Sequence, residues 1–290
     1  IADLSDSDVI VMPEEDDSLP LRDFPLEMSK MNEAVKYFLE DALFSEGLDV
    51  TRINNIVNIL SYDIPPASTA LNFFTDTSYE ALDRALLLVY YTQNAAMLYD
   101  CLYYTSASLV PDSIKIKLRD ILRGAIQLTE DTINSYSGLS RVDHSQWGVN
   151  LPRDYQYPGF SIIQYRFQML AASGLAALLL RETVPEWVDE MNEHLDYVNN
   201  EYLHQPMPST FPPSEQFQGM LALHTGNSGA FIESLGYQSS MHQRLSPFFT
   251  AYKRLSGGSV NYYNNQYYVT LINDLIAKGA PTGANWPYND

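Results

Sequence analysis

The sequence predicts an all-α protein, and three observations carry that reading. Apolar residues, 46% of the 290, recur at helical spacing almost without a break after Pro25. Proline, glycine and serine fall between the periodic stretches, where helices end. Strand signals are weak, and the one alternating stretch, VNYYNNQYYV, carries an NNQ between tyrosines that suits a loop entering a helix.

Each element follows from its pattern. Residues 1 to 24 are acidic and read as an extension, with the look of a processed N-terminus. The helical domain spans 25 to 290. Phe24 to Phe44 and Val50 to Leu60 are the first helical stretches, and Pro65-Pro66 breaks the chain. Ser78 caps a long helix to about Ser106. Pro111-Asp112-Ser113 opens the next, which runs to about Tyr136. After a long loop, helices are expected over Ser161 to Arg181 and over Pro185 to Leu203. A second long loop leads to GAFIESLGYQSSMHQRL and its following helix. The last helix covers Gln266 to Lys278. No fixed-period repeat is present, which sets ordinary solenoids aside. The architecture expected is antiparallel helix pairs.

Composition excludes several functions. The formal charge is −19, so no nucleic acid is expected as partner, because phosphate binding needs basic stripes. No apolar run reaches bilayer length, so no membrane span is expected. The longest, Met169 to Leu180, suits a buried helix. The single cysteine, Cys101, lies in an apolar helical run and reads as an inert core residue. No HExxH, CxxC or carboxylate cluster has metal-ligand spacing, and no phosphate loop or GxSxG occurs.

Two regions hold the residues that could do chemistry. The first loop carries Asp143, His144, Trp147 and Asn150, with Tyr155 and Tyr157 beyond. His144 can act as acid, base or charge neutraliser, since its pKa lies near working pH. Trp147 and the tyrosines offer stacking faces for a sugar ring. The second region gathers Glu233, Tyr237, His242 and Arg244, with His224 upstream. Glu233 and Tyr237 share a helical face if the helix has begun there. A guanidinium near a tyrosine favours the phenolate, which suits a proton-abstracting base. The bland alternative for both regions is a pinned loop with Trp147 as a core plug, and a helix start with surface charges. Arg141, Arg153, Arg166, Arg244, Lys253 and Arg254 fall around these regions. Clustered at a cleft they would draw an anionic substrate, and scattered they would favour a neutral glycan or a peptide.

The segment with Gly229, Phe231, Glu233 and Tyr237, together with the tail Pro287-Tyr288-Asn289-Asp290, resembles the helical (α/α) toroid domain of heparinase II/III-like polysaccharide lyases. The loop with Asp143, His144 and Trp147 resembles the His-containing loop between toroid helices of that family. The resemblance implies an incomplete (α/α) toroid that cleaves an acidic, uronic-acid-containing polysaccharide by β-elimination. Tyr237 would take the C5 proton, and His144 with Asn150 or Arg244 would neutralise the carboxylate. Trp147, Glu233, His224, His242, Tyr155 and Tyr157 would contact substrate. It implies no cofactor, a secreted or periplasmic location, and a C-terminal β-sandwich region not contained in this chain. Two other functions stay open: a non-catalytic glycan-binding or surface-assembly module, and an (α/α)-barrel glycoside hydrolase using Asp143 and Glu233.

Overall fold

A computed structural model describes residues 51, 54, 67–75, 81–103, 110–136, 163–203 and 235–278 of the chain. The helices expected between Phe24 and Leu60, the acidic extension, the two long loops and the tail lie outside the described residues, apart from the helical positions Thr51 and Asn54. Among the described residues the protein is all-α, with no strand. The helices are α1 (Ala67–Thr75), α2 (Ala81–Tyr103), α3 (Asp112–Tyr136), α4 (Ile163–Thr183), α5 (Val188–Leu203), α6 (Leu235–Leu255) and α7 (Gln266–Lys278). Short 3-10 turns, Pro185–Trp187 and Tyr262–Asn264, precede α5 and α7.

Local chemistry explains the boundaries. Pro111 sits just before α3, its carbonyl accepting from the Ile114 amide at 3.1 Å, and Asp112 places an anion at the helix's positive end. Buried Ile114, Leu118, Ile121, Leu122, Ala125, Ile126 and Ile133 form one stripe, so α3 has a core face and a wet face. Pro185 stops α4 by opening the 3-10 turn that leads into α5. Helix α6 ends in a Schellman motif. The Gly258 amide donates to Lys253 O at 2.8 Å and the Gly257 amide to Arg254 O at 3.2 Å. Gly257 holds φ +61° at the position that needs it. Lys253 and Arg254 in that last turn oppose the negative helix end. Pro247 lies inside α6, which costs one ladder bond without ending the helix.

Helix α4 is the centre of the described core. From Phe167 to Leu178 every residue is buried, and α2, α3, α5 and α6 all pack on it. A helix apolar all round must be enclosed, since each buried Leu or Phe contributes roughly 1.5–3 kcal/mol. The approach to α6 is close. A Cβ placed on Gly174 would stand 2.6 Å from the Phe248 ring.

An aromatic cluster seals the α5–α6–α7 side. Tyr202, Phe248, Phe249, Tyr252, Tyr262 and Tyr268 form a continuous set of ring contacts, the tightest being Phe249–Tyr262 at 4.3 Å. Tyr202 donates to the Phe167 carbonyl at 2.5 Å, joining α5 to α4. No helix among the described residues is long and apolar enough to cross a membrane.

Candidate functional site

The end of α5 and the loop between α6 and α7 face each other across an open cleft of about 630 Å³. Asp196, Asn199, Asn200 and Leu203 form one wall. Their i, i+3, i+4, i+7 spacing puts them on one stripe of α5, beside the apolar stripe of Met191, Leu195, Val198 and Tyr202. Ser259, Val260, Asn261, Tyr262, Asn264 and Asn265 form the other wall. Among the described residues, five asparagines and one aspartate line the cleft, and no basic residue does.

The loop is held firmly, so this wall is preorganised. Ser256 Oγ accepts from the Val260 amide at 3.1 Å, just past the glycine cap. Tyr262 is buried at the base, against Phe249 and Tyr202. Burial pushes its phenol far above the ordinary tyrosine range, so it stays a neutral donor. It donates to Asn199 Oδ1, while Asn199 Nδ2 donates to Tyr252 Oη at 2.9 Å. One carboxamide thus ties α5 to α6 and to the loop.

The asparagines divide by what they already bond. Asn199 is committed to the two tyrosines. Asn265 caps α7, its Oδ1 accepting from the Tyr267 and Tyr268 amides at 3.0 and 3.4 Å. Asn261 precedes the 3-10 turn but makes no capping bond with its side chain, and its Oδ1 is buried without a partner. The side chains of Asp196, Asn200 and Asn264 are exposed and make no hydrogen bond to any described residue. The exposed amides of Asn200 and Asn264 and the Asp196 carboxylate are therefore left facing the cleft, while the Asn261 oxygen is closed off from it.

The residues expected from sequence are placed unevenly. His144, Trp147, Asn150, Tyr155, Tyr157, His224 and Glu233 lie outside the described residues, as does Asp143. Helix α6 starts at Leu235, so Tyr237 is in its first turn, seven residues before Arg244. Arg244 is half-buried against α2. Its Nη1 donates to Gln93 Oε1 at 3.0 Å and its Cζ lies 4.1 Å from the Tyr90 ring centre. Burial lowers its pKa, partly offset by Tyr90, yet a guanidinium remains charged. His242 stands edge-on to Tyr268, with ring centroids 5.4 Å apart. Both its ring nitrogens are buried without partners, and burial lowers its pKa to about 4. It is therefore neutral near pH 7 and brings no cation to a substrate. Of the six basic residues that fall around the two regions in sequence, Arg244 is in the α2–α6 interface, while Lys253 and Arg254 are exposed at the end of α6. Cys101 is partly buried and its thiol is pushed up to about 11 by burial, which keeps it unreactive.

One constellation was invisible in the sequence. His194 Nε2 lies 3.0 Å from Ser173 Oγ, and His194 Nδ1 lies 2.5 Å from Glu130 Oε1. The order Ser–His–Glu matches a nucleophile, base and orienting acid. The surroundings do not. Ser173 is wholly buried in the middle of α4, and its Oγ also donates to Leu170 O at 3.3 Å. The nearby amides are inside a helix and give no oxyanion site. The three groups instead join α3, α4 and α5.

Among the described residues no group of His, Cys, Asp and Glu gathers as a metal site. Comparison of the chain with protein-family models, with curated proteins and with solved structures yields no match.

Proposed function

We propose that this chain is a carbohydrate-binding helical module whose ligand lies in the cleft between α5 and the α6–α7 loop. One observation carries the reading. The exposed carboxamides of Asn200 and Asn264, with unused donors and acceptors, line a preformed cleft that also offers the apolar side chains of Leu203 and Val260. Amides bond hydroxyls in both directions, and apolar or aromatic surface packs against the C–H face of a sugar ring. The volume falls in the usual range for small-ligand sites, about 300–1,000 Å³. Ligand-observed NMR of the full chain with a panel of oligosaccharides tests it. Saturation transfer to sugar protons, weakened in Asn200→Leu and in Asn264→Leu, is the expected result. A panel without any transfer sinks the proposal.

A second reading, β-elimination of a uronic-acid glycan, has one observation in its favour. Helix α6 is continuous from Leu235, so it holds Tyr237 about 10 Å from Arg244 along one axis. The toroid arrangement and a secreted or periplasmic location belong with that reading. It expects ultraviolet absorbance from unsaturated ends, abolished by Tyr237→Phe. Glycan retention with no change in chain length and no such absorbance rejects it in favour of binding alone.

A further inference from the structure

We propose that the cleft takes a cationic amino sugar, its ammonium group held by Asp196 and its hydroxyls by Asn200 and Asn264. The proposal rests on the carbohydrate-binding reading and names the ligand class of the same site.

Asp196 sets the sign of the ligand. Its carboxylate is exposed in the cleft wall and makes no hydrogen bond or ion pair with any described residue. An ionised carboxylate only accepts, and an ammonium group only donates. Bonds between the two are roughly twice as strong as neutral ones. Asn200 follows four residues later on the same stripe of α5, which puts the two Cβ atoms about 5–6 Å apart. One sugar ring can therefore reach the carboxylate with its amine and the amide with a hydroxyl. Asn264 offers a second exposed amide from the opposite wall, and Leu203 and Val260 give the ring's C–H face an apolar surface.

The whole chain favours the same sign. A formal charge of −19 draws cations at long range and repels polyanions. A uronate meets Asp196 with like charge, and an uncharged sugar gains nothing from the field. A protonated amine gains both the local bond and the long-range attraction, and selectivity is the difference between these affinities.

Capture at Asp196 and diffuse attraction to an acidic surface are separable, because Asp196→Asn removes one charge and leaves the rest of the field. Asp196, Asn200 and Asn264 bond no described residue, so their variants test binding rather than folding. The full chain is titrated by calorimetry with glucosamine trimer, with its uncharged N-acetylated form, and with spermidine, an amine without a sugar. The glucosamine trimer is expected to bind about fivefold or more tightly than the N-acetylated trimer. That preference should shrink as salt rises from about 0.02 to 0.3 M. Asp196→Asn should abolish most of it. Asn200→Leu and Asn264→Leu should weaken the glucosamine trimer and leave spermidine unchanged. Equal affinity for the two trimers, or a preference that survives Asp196→Asn, overturns the cationic selectivity and leaves the carbohydrate reading intact. Spermidine bound as tightly as the glucosamine trimer, and lost in Asp196→Asn, makes this an amine site and overturns both readings. Neither trimer bound overturns the amino-sugar proposal, and the oligosaccharide panel above then decides the carbohydrate reading by itself.

Discussion

Gln93 and Arg244 hold each other twice across the α2–α6 interface. The Gln93 amide donates to the Arg244 carbonyl at 3.3 Å, and its oxygen accepts from the guanidinium at 3.0 Å. Gln93 is buried, so each half of this clasp leaves an unmet polar group when the other is removed. Arg244→Met is therefore expected to destabilise the fold by about 1–3 kcal/mol, and Gln93→Leu by a similar amount. The double variant should cost less than the sum of the two, as contacting residues do. Denaturant unfolding measures all three. Strict additivity would show that the pair is not coupled and would return Arg244 to the list of free cations.

Gly257 is where the sequence meets the cleft. Its φ of +61° closes α6 and turns the chain toward Ser259, and an added Cβ would touch nothing within 4 Å. The penalty for Gly257→Ala is thus conformational, about 1–2 kcal/mol. The loop wall moves with the cap, so saccharide affinity should fall as well. Gly257→Asn, which tolerates the left-handed region, should recover most of the stability. An alanine variant as stable as the parent would mean that the turn relaxes at no cost.

The fold was legible where one local signal sufficed. Pro111-Asp112 marked the start of α3, and the unbroken apolar run marked α4 as buried. The Gly257-Gly258 pair after Ser256 sets the end of α6, a boundary that the apolar pattern alone does not mark. Helix α6 begins at Leu235, ahead of the apolar pattern, a start that the weak helix formers Gly236, Ser239 and Ser240 concealed in the sequence. The cleft was not legible. Asn199-Asn200 and Asn264-Asn265 look like ordinary turn chemistry in sequence. Only Tyr262, buried under Phe249, brings the second pair opposite the first. His194 looked solitary because Ser173 and Glu130 lie 21 and 64 residues away, on other helices.

The Ser173–His194–Glu130 chain is expected to act in stability alone. A serine-directed fluorophosphonate should leave the native protein unlabelled, since Ser173 is fully buried. His194→Ala should destabilise by about 2–4 kcal/mol, from a cavity and two stranded polar partners. Ser173→Ala, which removes one weaker partner, should cost less. Stoichiometric labelling of Ser173 at neutral pH, below the unfolding transition, would require an opening that exposes α4 and would revive a hydrolytic reading.

His242 gives the fold an acid-sensitive joint between α6 and α7. Its folded pKa is lowered from 6.5 to about 4 by burial, and neither ring nitrogen has a partner. Between those two values the unfolded chain binds the proton that the folded chain refuses. The stabilising contribution is therefore complete above pH 6.5, is lost as pH falls toward 4, and changes no further below that. Its full size is at most about 3 kcal/mol, reduced by the partial exposure of the side chain. Carboxylates titrate in the same range, so wild type alone cannot isolate the effect. The difference between wild type and His242→Leu can. Leucine fills similar space and removes two unmet polar atoms, so near pH 7.5 the variant should be about as stable as wild type. Near pH 4.5 it should be more stable by about 1–3 kcal/mol. Two stability curves that run parallel from pH 7.5 to 4.5 would show that His242 finds a partner or water in solution, and the α6–α7 joint would lose its acid sensitivity.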